Sequence, residues 1–297
     1  MDMNGKLLHD EETNVVYLSP WLKDKKDGHP KFYMELMAIL KEMGIETREL
    51  KRTRDYWARD YMPIQLGKDD FLKYHYYPDY LVNKDDIDFI TDVSKVISEI
   101  SGMRKPCRST NLIIDGGNMV PCGPYIVMTN KVFTENRREK GDEEFKALLD
   151  SELGHPVIII PWTPHEGDVY GHADGFIKWC GDNRILMGNH GDCYPEEATS
   201  IRRILECYGF VVKEMCFNDK VATPDYNLNW AYINFLQVGK NIIMPKFNIE
   251  EDAIAQQYIQ EAFPDCNIHQ IEMAAIAKEG GALHCLTWNV YLPQSQV

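Results

Sequence analysis

The sequence lacks the features that would bring a protein to a membrane or out of the cell. Its apolar runs, such as residues 157–160, are far shorter than the roughly 20 residues that cross a bilayer. Residues 1–6 contain no apolar stretch like the core of a signal peptide. The eight cysteines are scattered and form no Cys-x-x-Cys pair, which is typical of free thiols in a reducing compartment. We therefore expect a cytoplasmic protein with no membrane partner.

Positive charge is also scarce. The 297 residues include 32 Lys and Arg against 46 Asp and Glu, a formal net charge of −14, and no Lys/Arg run forms a stripe. Because binding to phosphates needs clustered cations, a nucleic acid is not an expected partner. An acidic protein attracts cationic ligands, although the same charge also serves solubility.

The chain has no low-complexity segment and no obvious linker, so we expect a single domain over residues 1–297. It contains five similar units, each an amphipathic helix, a break and a strand. These units are residues 32–50, 87–114, 144–160, 201–215 and 253–271, with breaks at Gly44, Gly102, Gly154, Gly209 and Pro264. The breaks are about 55 residues apart, which indicates a pseudo-fivefold α/β repeat around an axis. The alternative is an ordinary open α/β sheet.

A polar cluster follows each predicted strand at nearly the same distance. The clusters are residues 57–60 (Trp-Ala-Arg-Asp), 115–118 (Asp-Gly-Gly-Asn), 167–174 (Gly-Asp-Val-Tyr-Gly-His-Ala-Asp), 227–230 (Asn-Leu-Asn-Trp) and 280–285 (Gly-Gly-Ala-Leu-His-Cys). Each cluster alone is ambiguous, since a single Cys is more often a small buried hydrophobic residue and Gly-Gly is first of all a turn. If the units circle an axis, equivalent loops meet at one end of it, and the five clusters form one site.

Taken together, the motifs resemble those of the agmatine deiminase and bacterial peptidylarginine deiminase family, in the pentein superfamily of guanidine-modifying enzymes. The resemblance extends from about Trp57 to Pro293. It rests on the order of Trp-x-Arg-Asp, Asp-Gly-Gly-Asn, Gly-Asp-x-x-x-His-x-Asp-Gly and Gly-Gly-x-x-His-Cys. It implies a pentein fold, a five-bladed α/β propeller of ββαβ-type modules, and this number of blades matches the five repeats.

The resemblance also implies roles for individual residues. Cys285 would be the nucleophile, His172 the general acid and base, and Asp60 and Asp174 the carboxylates that hold a guanidinium group. Asp168 would be a further substrate contact. The other residues expected at the substrate site are Trp57, Gly116, Gly117, Asn118, Gly281 and Asn234, the last with a structural role as an equal alternative. No metal or cofactor is implied.

The chemistry of a guanidinium group agrees with these residues. The group is planar and protonated near neutral pH, and its paired N–H donors suit carboxylates. Its central carbon is a poor electrophile, so attack needs a strong, soft nucleophile such as a thiolate. Attack by Cys285 with proton donation by His172 would release ammonia, and water would hydrolyse the thiouronium intermediate to a ureido product.

The sequence departs from the family pattern at residues 59–63, Arg-Asp-Tyr-Met-Pro, where a glycine is usual in place of Met62. Met62 is therefore expected to adopt the backbone that a glycine would allow. Arg59 is expected to form an ion pair with the adjacent Asp60. These departures put the recognition of the substrate's tail in question.

The expected partner is a small cationic guanidino compound, first of all agmatine, which would give N-carbamoylputrescine. Free arginine, peptidyl-arginine and amidino transfer to a second amine are alternatives, and a homodimer stays open. Outside this class, the alternatives are a non-catalytic pentein that binds ribosomal subunits, a Cys-His hydrolase of amides, and a metalloenzyme. The metalloenzyme reading would use His172, Asp174, Asp168 and His190 as ligands.

Overall fold

The computed structural model describes residues 6–26, 28–82, 86–100, 107–164, 168–217 and 228–293, and within them fifteen strands form five three-stranded sheets. The strands are β1 (Val15–Leu18), β2 (Glu46–Glu49), β3 (Ile64–Gly67), β4 (Asp70–His75), β5 (Arg108–Ile113), β6 (Val120–Cys122), β7 (Tyr125–Thr129), β8 (Val157–Ile160), β9 (Ile177–Trp179), β10 (Arg184–Met187), β11 (Val211–Glu214), β12 (Leu236–Val238), β13 (Asn241–Lys246), β14 (Asn267–Glu272) and β15 (Thr287–Val290).

Ten α-helices connect these strands in the described part of the chain. They are α1 (Pro30–Glu42), α2 (Ala58–Tyr61), α3 (Val93–Ile97), α4 (Lys131–Glu135), α5 (Glu143–Leu153), α6 (His190–Cys193), α7 (Pro195–Cys207), α8 (Glu251–Ala262), α9 (Ala274–Ala277) and α10 (Leu283–Leu286). Short 3₁₀ helices occur at Asp10–Glu12, Pro20–Lys23, Asp79–Leu81, Ile87–Phe89, Gly116–Asn118, Ala173–Gly175 and Asn229–Ile233.

All five sheets have one topology. Their strand orders are β15-β1-β2, β3-β4-β5, β6-β7-β8, β9-β10-β11 and β12-β13-β14. In each sheet the first strand is antiparallel to the second and the third is parallel to it. Parallel neighbours need a crossover, which α1, α3, α5, α7 and α8 supply. The predicted pseudo-fivefold propeller of ββαβ modules is confirmed. The single domain over 1–297 stays a prediction, because both chain ends lie outside the described residues.

The crossover helices follow from local sequence. In α1, Phe32, Leu36 and Leu40 recur every four residues and are buried, so one face of the helix packs on the core. The helices α1, α5 and α7 are followed by Gly44, Gly154 and Gly209, with φ of 69°, 73° and 88°. A left-handed residue ends a helix, and glycine adopts that conformation without a Cβ clash, so these three predicted breaks are confirmed. The predicted break at Gly102 lies outside the described residues.

The predicted continuous helix over residues 87–100 is wrong. The chain forms the 3₁₀ helix Ile87–Phe89, becomes extended at Ile90 (φ −67°, ψ 110°), and re-enters a helix only at α3. Two contacts explain the interruption. The hydroxyl of Thr91 accepts a hydrogen bond from the backbone N–H of Arg54 at 2.9 Å, and the Asp92 side chain caps α3. Helical periodicity alone does not reveal either contact.

The hydrophobic core lies between the sheets and the helices that cover them. One cluster contains the buried face of α5, formed by Phe145, Leu149 and Leu153, together with Leu72 of β4 and Val157 of β8. In the residues that the structure describes, we find no helix both long and apolar enough to span a bilayer.

Candidate active site

The predicted polar clusters lie on the connections between the last strand of one sheet and the first strand of the next. These connections contain α2, the 3₁₀ helices Gly116–Asn118, Ala173–Gly175 and Asn229–Ile233, and α10. Successive members contact each other, and α10 also contacts α2. The backbone N–H of His284 donates to the carbonyl of Asn234 at 3.0 Å, which joins the last two connections. Residues distant in sequence therefore meet at one end of the molecule. Gly167 and Asn227 lie outside the described residues.

Cys285 lies on α10 and is 7% exposed. Its backbone N–H donates to Oδ1 of Asn234 at 3.2 Å, and its Sγ lies 3.7 Å from Oδ2 of Asp174. Burial, with the nearby charges of Asp174 and Asp60, raises the pKa of the Cys285 thiol well above its usual range. A cation beside Sγ would reverse the charge contribution and favour the thiolate.

The two oxygens of Asp174 have different surroundings. Its Oδ2 accepts a hydrogen bond from Nδ1 of His284 at 2.6 Å, whereas Oδ1 is buried and has no hydrogen-bond partner among the described residues. Burial lowers the pKa of His284 to about 4, aided by Arg59 and Lys178, so His284 is neutral near pH 7. Burial alone would raise the pKa of Asp174, but the hydrogen bond from His284 and nearby cations lower it. Asp174 is therefore a carboxylate with one unused acceptor.

His172 lies between two carboxylates. Its Nε2 is 3.0 Å from Oδ2 of Asp115 and its Nδ1 is 3.5 Å from Oδ1 of Asp60. Burial lowers the pKa of His172, but Asp60 and Asp115 outweigh it and raise the value to about 9. Burial raises the pKa of Asp60 to about 7, although His172 acts in the opposite direction. Near neutral pH, His172 is thus an imidazolium that can donate a proton.

Three glycines are required here by space. A Cβ at Gly117 would lie 2.7 Å from both Oδ1 of Asp60 and Nδ1 of His172. The N–H of Gly117 also donates to Oδ1 of Asp60 at 3.1 Å. A Cβ at Gly281 would lie 2.2 Å from the ring of Trp57. Gly116 is closely approached as well, since its Cβ would lie 2.0 Å from the carbonyl oxygen of Arg59.

A cleft of about 610 Å³ opens onto these groups. Asp60, His172 and Cys285 line it, together with Trp57 and Gly281. The rest of its wall is largely aromatic, and carboxylates and cations lie at several points. These residues are Trp21, Lys26, Arg54, Asp55, Tyr56, Tyr76, Tyr80, Leu81, Phe89, Tyr170, Glu279 and Gly280. Aromatic rings next to carboxylates are suited to a planar or elongated cation.

Other predicted site residues support the loops without lining the cleft. Asp168 accepts hydrogen bonds from the Trp162 indole at 3.0 Å and from the N–H groups of Tyr170 and Gly171 at 3.0 and 2.9 Å. Asn118 accepts from the N–H groups of Thr129 and Ala173. Asn234 holds the backbone of Cys285, as described above. Substrate contact by Asp168, Asn118 and Asn234 stays a prediction, and the contacts seen here order the surrounding turns.

Two expectations about the first connection are corrected. Arg59 does not pair with Asp60: its guanidinium donates to the carbonyl of His284 and the side chain of Asn289, and no ion pair to Asp60 occurs in the described structure. Met62 is buried in ordinary extended backbone (φ −80°, ψ 148°), so no glycine-like conformation is needed there.

Sequence reasoning missed two partners of the predicted residues. Asp115 binds His172, and its signal was its place at the start of the Asp-Gly-Gly-Asn motif. His284 binds Asp174, and its signal was its position next to Cys285.

The metal-site alternative lacks a ligand set, because no group of three or more His, Cys, Asp or Glu side chains in the described structure could hold a metal ion. His190, for example, lies against Glu197 at 2.7 Å.

Comparison with known proteins agrees with this fold. The model of the family described as Porphyromonas-type peptidyl-arginine deiminase matches residues 32–290. The chain is 23% identical over 238 residues to the agmatine deiminase of Ectopseudomonas mendocina (68% of this chain, 63% of that protein). It is 24% identical over 309 residues to that of Stutzerimonas stutzeri (86% of this chain, 79% of that protein). The solved structure of the C. jejuni agmatine deiminase has a TM-score of 0.76 at 19% identity, with 96% of each chain covered.

The fold is that of the pentein α/β propellers, with a cysteine, a histidine and aspartates gathered at one end of the axis. The chain belongs to the Porphyromonas-type peptidyl-arginine deiminase family. The match to the E. mendocina enzyme spans less than two thirds of that protein's length.

Proposed function

We propose that this protein is a deiminase of small guanidino compounds, with agmatine as the leading substrate, N-carbamoylputrescine and ammonia as products, and Cys285 as the covalent nucleophile. One observation carries the proposal. Sγ of Cys285 lies 3.7 Å from Oδ2 of Asp174, and the other oxygen of that carboxylate, Oδ1, is buried without a hydrogen-bond partner in the described structure. A guanidinium bound to that oxygen would lie next to Sγ.

The reaction begins when the substrate cation binds to Asp174 and Asp60. Its charge lowers the pKa of the Cys285 thiol, and the thiol proton passes to solvent as the thiolate forms. Sγ then bonds to the guanidinium carbon and gives a tetrahedral adduct. The imidazolium of His172 donates its proton to the departing nitrogen, the C–N bond breaks, and ammonia leaves. Asp115 stabilises the imidazolium before this step.

The second half-reaction uses water. His172, now neutral, accepts a proton from the water that attacks the carbon of the S-alkylthiouronium group. The tetrahedral intermediate collapses, its hydroxyl proton passes to solvent as the C=O bond forms, the C–S bond breaks, and Cys285 leaves as a thiolate. The product keeps the oxygen of water as a ureido group.

Carboxylates in the cleft wall favour agmatine as the substrate. Asp55 and Glu279 line the same cleft, and Glu279 also binds His29 at 2.9 Å and the hydroxyl of Tyr56. An ammonium at the far end of the substrate would find anionic partners there. Free arginine or a peptide ending in arginine is the second candidate, because Arg54 and Lys26 line the cleft too and could bind a carboxylate.

The test is a panel of agmatine, free arginine and blocked peptidyl-arginine, assayed for ammonia and ureido product with wild type, Cys285→Ala and the matched control Cys266→Ala. We expect agmatine to lead in kcat/KM by at least about tenfold, roughly 1.4 kcal/mol of transition-state binding. Cys285→Ala should have no turnover, and Cys266→Ala should match wild type. A preference for arginine would replace the substrate assignment, and full activity in Cys285→Ala would refute the covalent mechanism.

A further inference from the structure

Lys131 is a buried cation that the proposed reaction does not use. It is the first residue of α4, and only 1% of its side chain is exposed. Its Nζ lies 3.1 Å from Oδ1 of Asp79, 3.4 Å from Oε1 of Glu135 and 3.3 Å from the carbonyl oxygen of Val169. The ammonium thus donates a hydrogen bond to Val169 and forms ion pairs with Asp79 and Glu135, whose oxygens come from three separate segments.

Two of these oxygens belong to residues that are next in sequence to the wall of the cleft. Asp79 precedes Tyr80, and Val169 precedes Tyr170, and both tyrosines line the cleft. Nζ of Lys131 also lies 4.7 Å from the centre of the Tyr80 ring. The two tyrosine rings meet edge to face at 4.9 Å, and each lies about 6 Å from the ring of His172. The lysine therefore contacts both segments that bring an aromatic ring to the predicted acid and base.

A second set of bonds ties the segment of Lys131 to residues 168–171. The hydroxyl of Thr129 donates to the carbonyl of Gly171 at 2.6 Å and accepts from the backbone N–H of Lys131 at 3.3 Å. Tyr170 in turn packs closely on Gly280, where a Cβ would lie 2.4 Å from its ring. A shift of residues 168–171 would thus reach the connection that contains Cys285.

We propose that Lys131 is a positioning residue: it anchors the Asp79–Leu81 turn and residues 168–171 to each other and so sets the place of Tyr80 and Tyr170 beside His172. An uncharged side chain of the same length could fill the space but could not bind three acceptors. Burial opposes the charge, but Glu135, Asp115 and Asp79 together raise the pKa of Lys131, so the ammonium persists. The consequence for turnover rests on the proposed function, whereas the anchoring does not.

The test compares Lys131→Met and Asp79→Asn with the matched control Lys146→Met, which removes a lysine ion pair to Asp150 on α5 and does not line the cleft. Backbone amide exchange, followed by mass spectrometry, should become faster in residues 79–82 and 168–171 in the first two variants and stay unchanged in the control. With the substrate that wild type uses best, KM should rise at least about tenfold in Lys131→Met while kcat stays within about threefold. A general loss of packing would instead lower kcat and stability, and it would not raise KM at a nearly constant kcat.

Unchanged exchange in both segments would overturn the proposal, and so would an unchanged KM in an enzyme that turns over a guanidino compound. If Lys131→Met does not fold, Asp79→Asn decides, because the Asp79 side chain is 60% exposed and its loss leaves the core intact. If wild type turns over no guanidino compound, the proposed function fails, and the exchange rates still decide whether Lys131 is the anchor.

Discussion

The pKa values of His172 and Asp60 are both raised, so both groups hold a proton at higher pH than is usual. Burial favours the neutral form of each, but two carboxylates surround His172 and keep it protonated, with a pKa of about 9. Burial raises the pKa of Asp60 to about 7, and the opposing effect of His172 is too small to restore its usual value. Binding a guanidinium needs the ionised form of Asp60, and protonating the leaving nitrogen needs the imidazolium form of His172.

This arrangement predicts a bell-shaped pH profile of kcat/KM. Activity should rise through about pH 7 as Asp60 ionises and fall near about pH 9 as His172 loses its proton. Asp115→Asn removes an anionic neighbour, so the pKa of His172 should drop and the falling limb should move to lower pH by about one unit or more. Asp265→Asn, an exposed change, serves as the control.

The same shift has a consequence for stability. The pKa of His172 is higher in the folded state than its usual 6.5. Protonated His172 therefore adds to the free energy of unfolding fully below pH 6.5, and this contribution is lost as the pH rises through about 9. The free energy of unfolding from urea titrations should fall over this window, and less steeply in Asp115→Asn. An unmoved falling limb in that variant would show that Asp115 does not set the protonation of His172.

At the scale of elements, the 3₁₀ helix Gly116–Asn118 depends on the absence of side chains. It lies between α2 and the 3₁₀ helix Ala173–Gly175, and the N–H of Gly117 reaches Asp60 directly. A larger residue would separate the connection that contains Asp60 from the one that contains His172. Close backbone approach, not a left-handed conformation, is the requirement at Gly117.

Gly117→Ala should therefore lower kcat/KM by at least about a hundredfold, because a displacement of about 1 Å at reacting groups is enough for such a loss. Its methyl group would lie 2.7 Å from Asp60 and His172, and one of them must move. Gly175→Ala is the matched control, since a Cβ there meets nothing within 4 Å. The test is to measure kcat/KM and the thermal melting temperature of both variants. Similar activity in the two would mean that the turn tolerates a methyl group.

At the scale of the whole molecule, both ends of the described chain close the ring. β15 pairs with β1, and the 3₁₀ helix Asp10–Glu12 lies outside the cleft wall, beside a second cavity that Asp174 and His284 also line. There Oδ2 of Asp10 binds Lys178 of β9 at 2.5 Å, and Oδ1 accepts from Asn289 of β15 at 2.8 Å. One side chain thus ties the first segment to two other sheets.

Asp10→Asn should destabilise the protein by about 1–3 kcal/mol, because it leaves the buried Lys178 without an anionic partner. The Asp10 side chain is 24% exposed, which limits the effect. Nearby Lys178, His284 and Arg59 outweigh burial and lower the pKa of Asp10, so its contribution is present above pH 3.8 and lost only as the pH falls through the lowered value. The difference in urea-unfolding free energy from wild type should thus persist at pH 4. Asp10→Asn with Lys178→Met should recover part of the loss, and equal stability of wild type and the single variant would contradict the assignment.

Much of the architecture could be predicted because its signals are local. Apolar residues at helical spacing, a glycine or proline break and a short strand recur in each unit. The three confirmed breaks at Gly44, Gly154 and Gly209 depend on backbone conformation alone. The same reasoning failed at residues 87–100. There Thr91 is held by a residue 37 positions earlier, and periodicity cannot show such a contact.

By itself, the sequence determined the five-unit fold and which five connections carry polar chemistry, because helix caps, periodicity and motif spacing are properties of neighbouring residues. Only the tertiary structure decided which carboxylate faces which group. Asp115 and Asp168 both stand beside glycines after a strand, yet Asp115 binds His172, 57 positions away, while Asp168 closes its own turn. The physical reason is that the direction of a side chain at a loop depends on the segments packed around it, and those segments come from other blades of the ring.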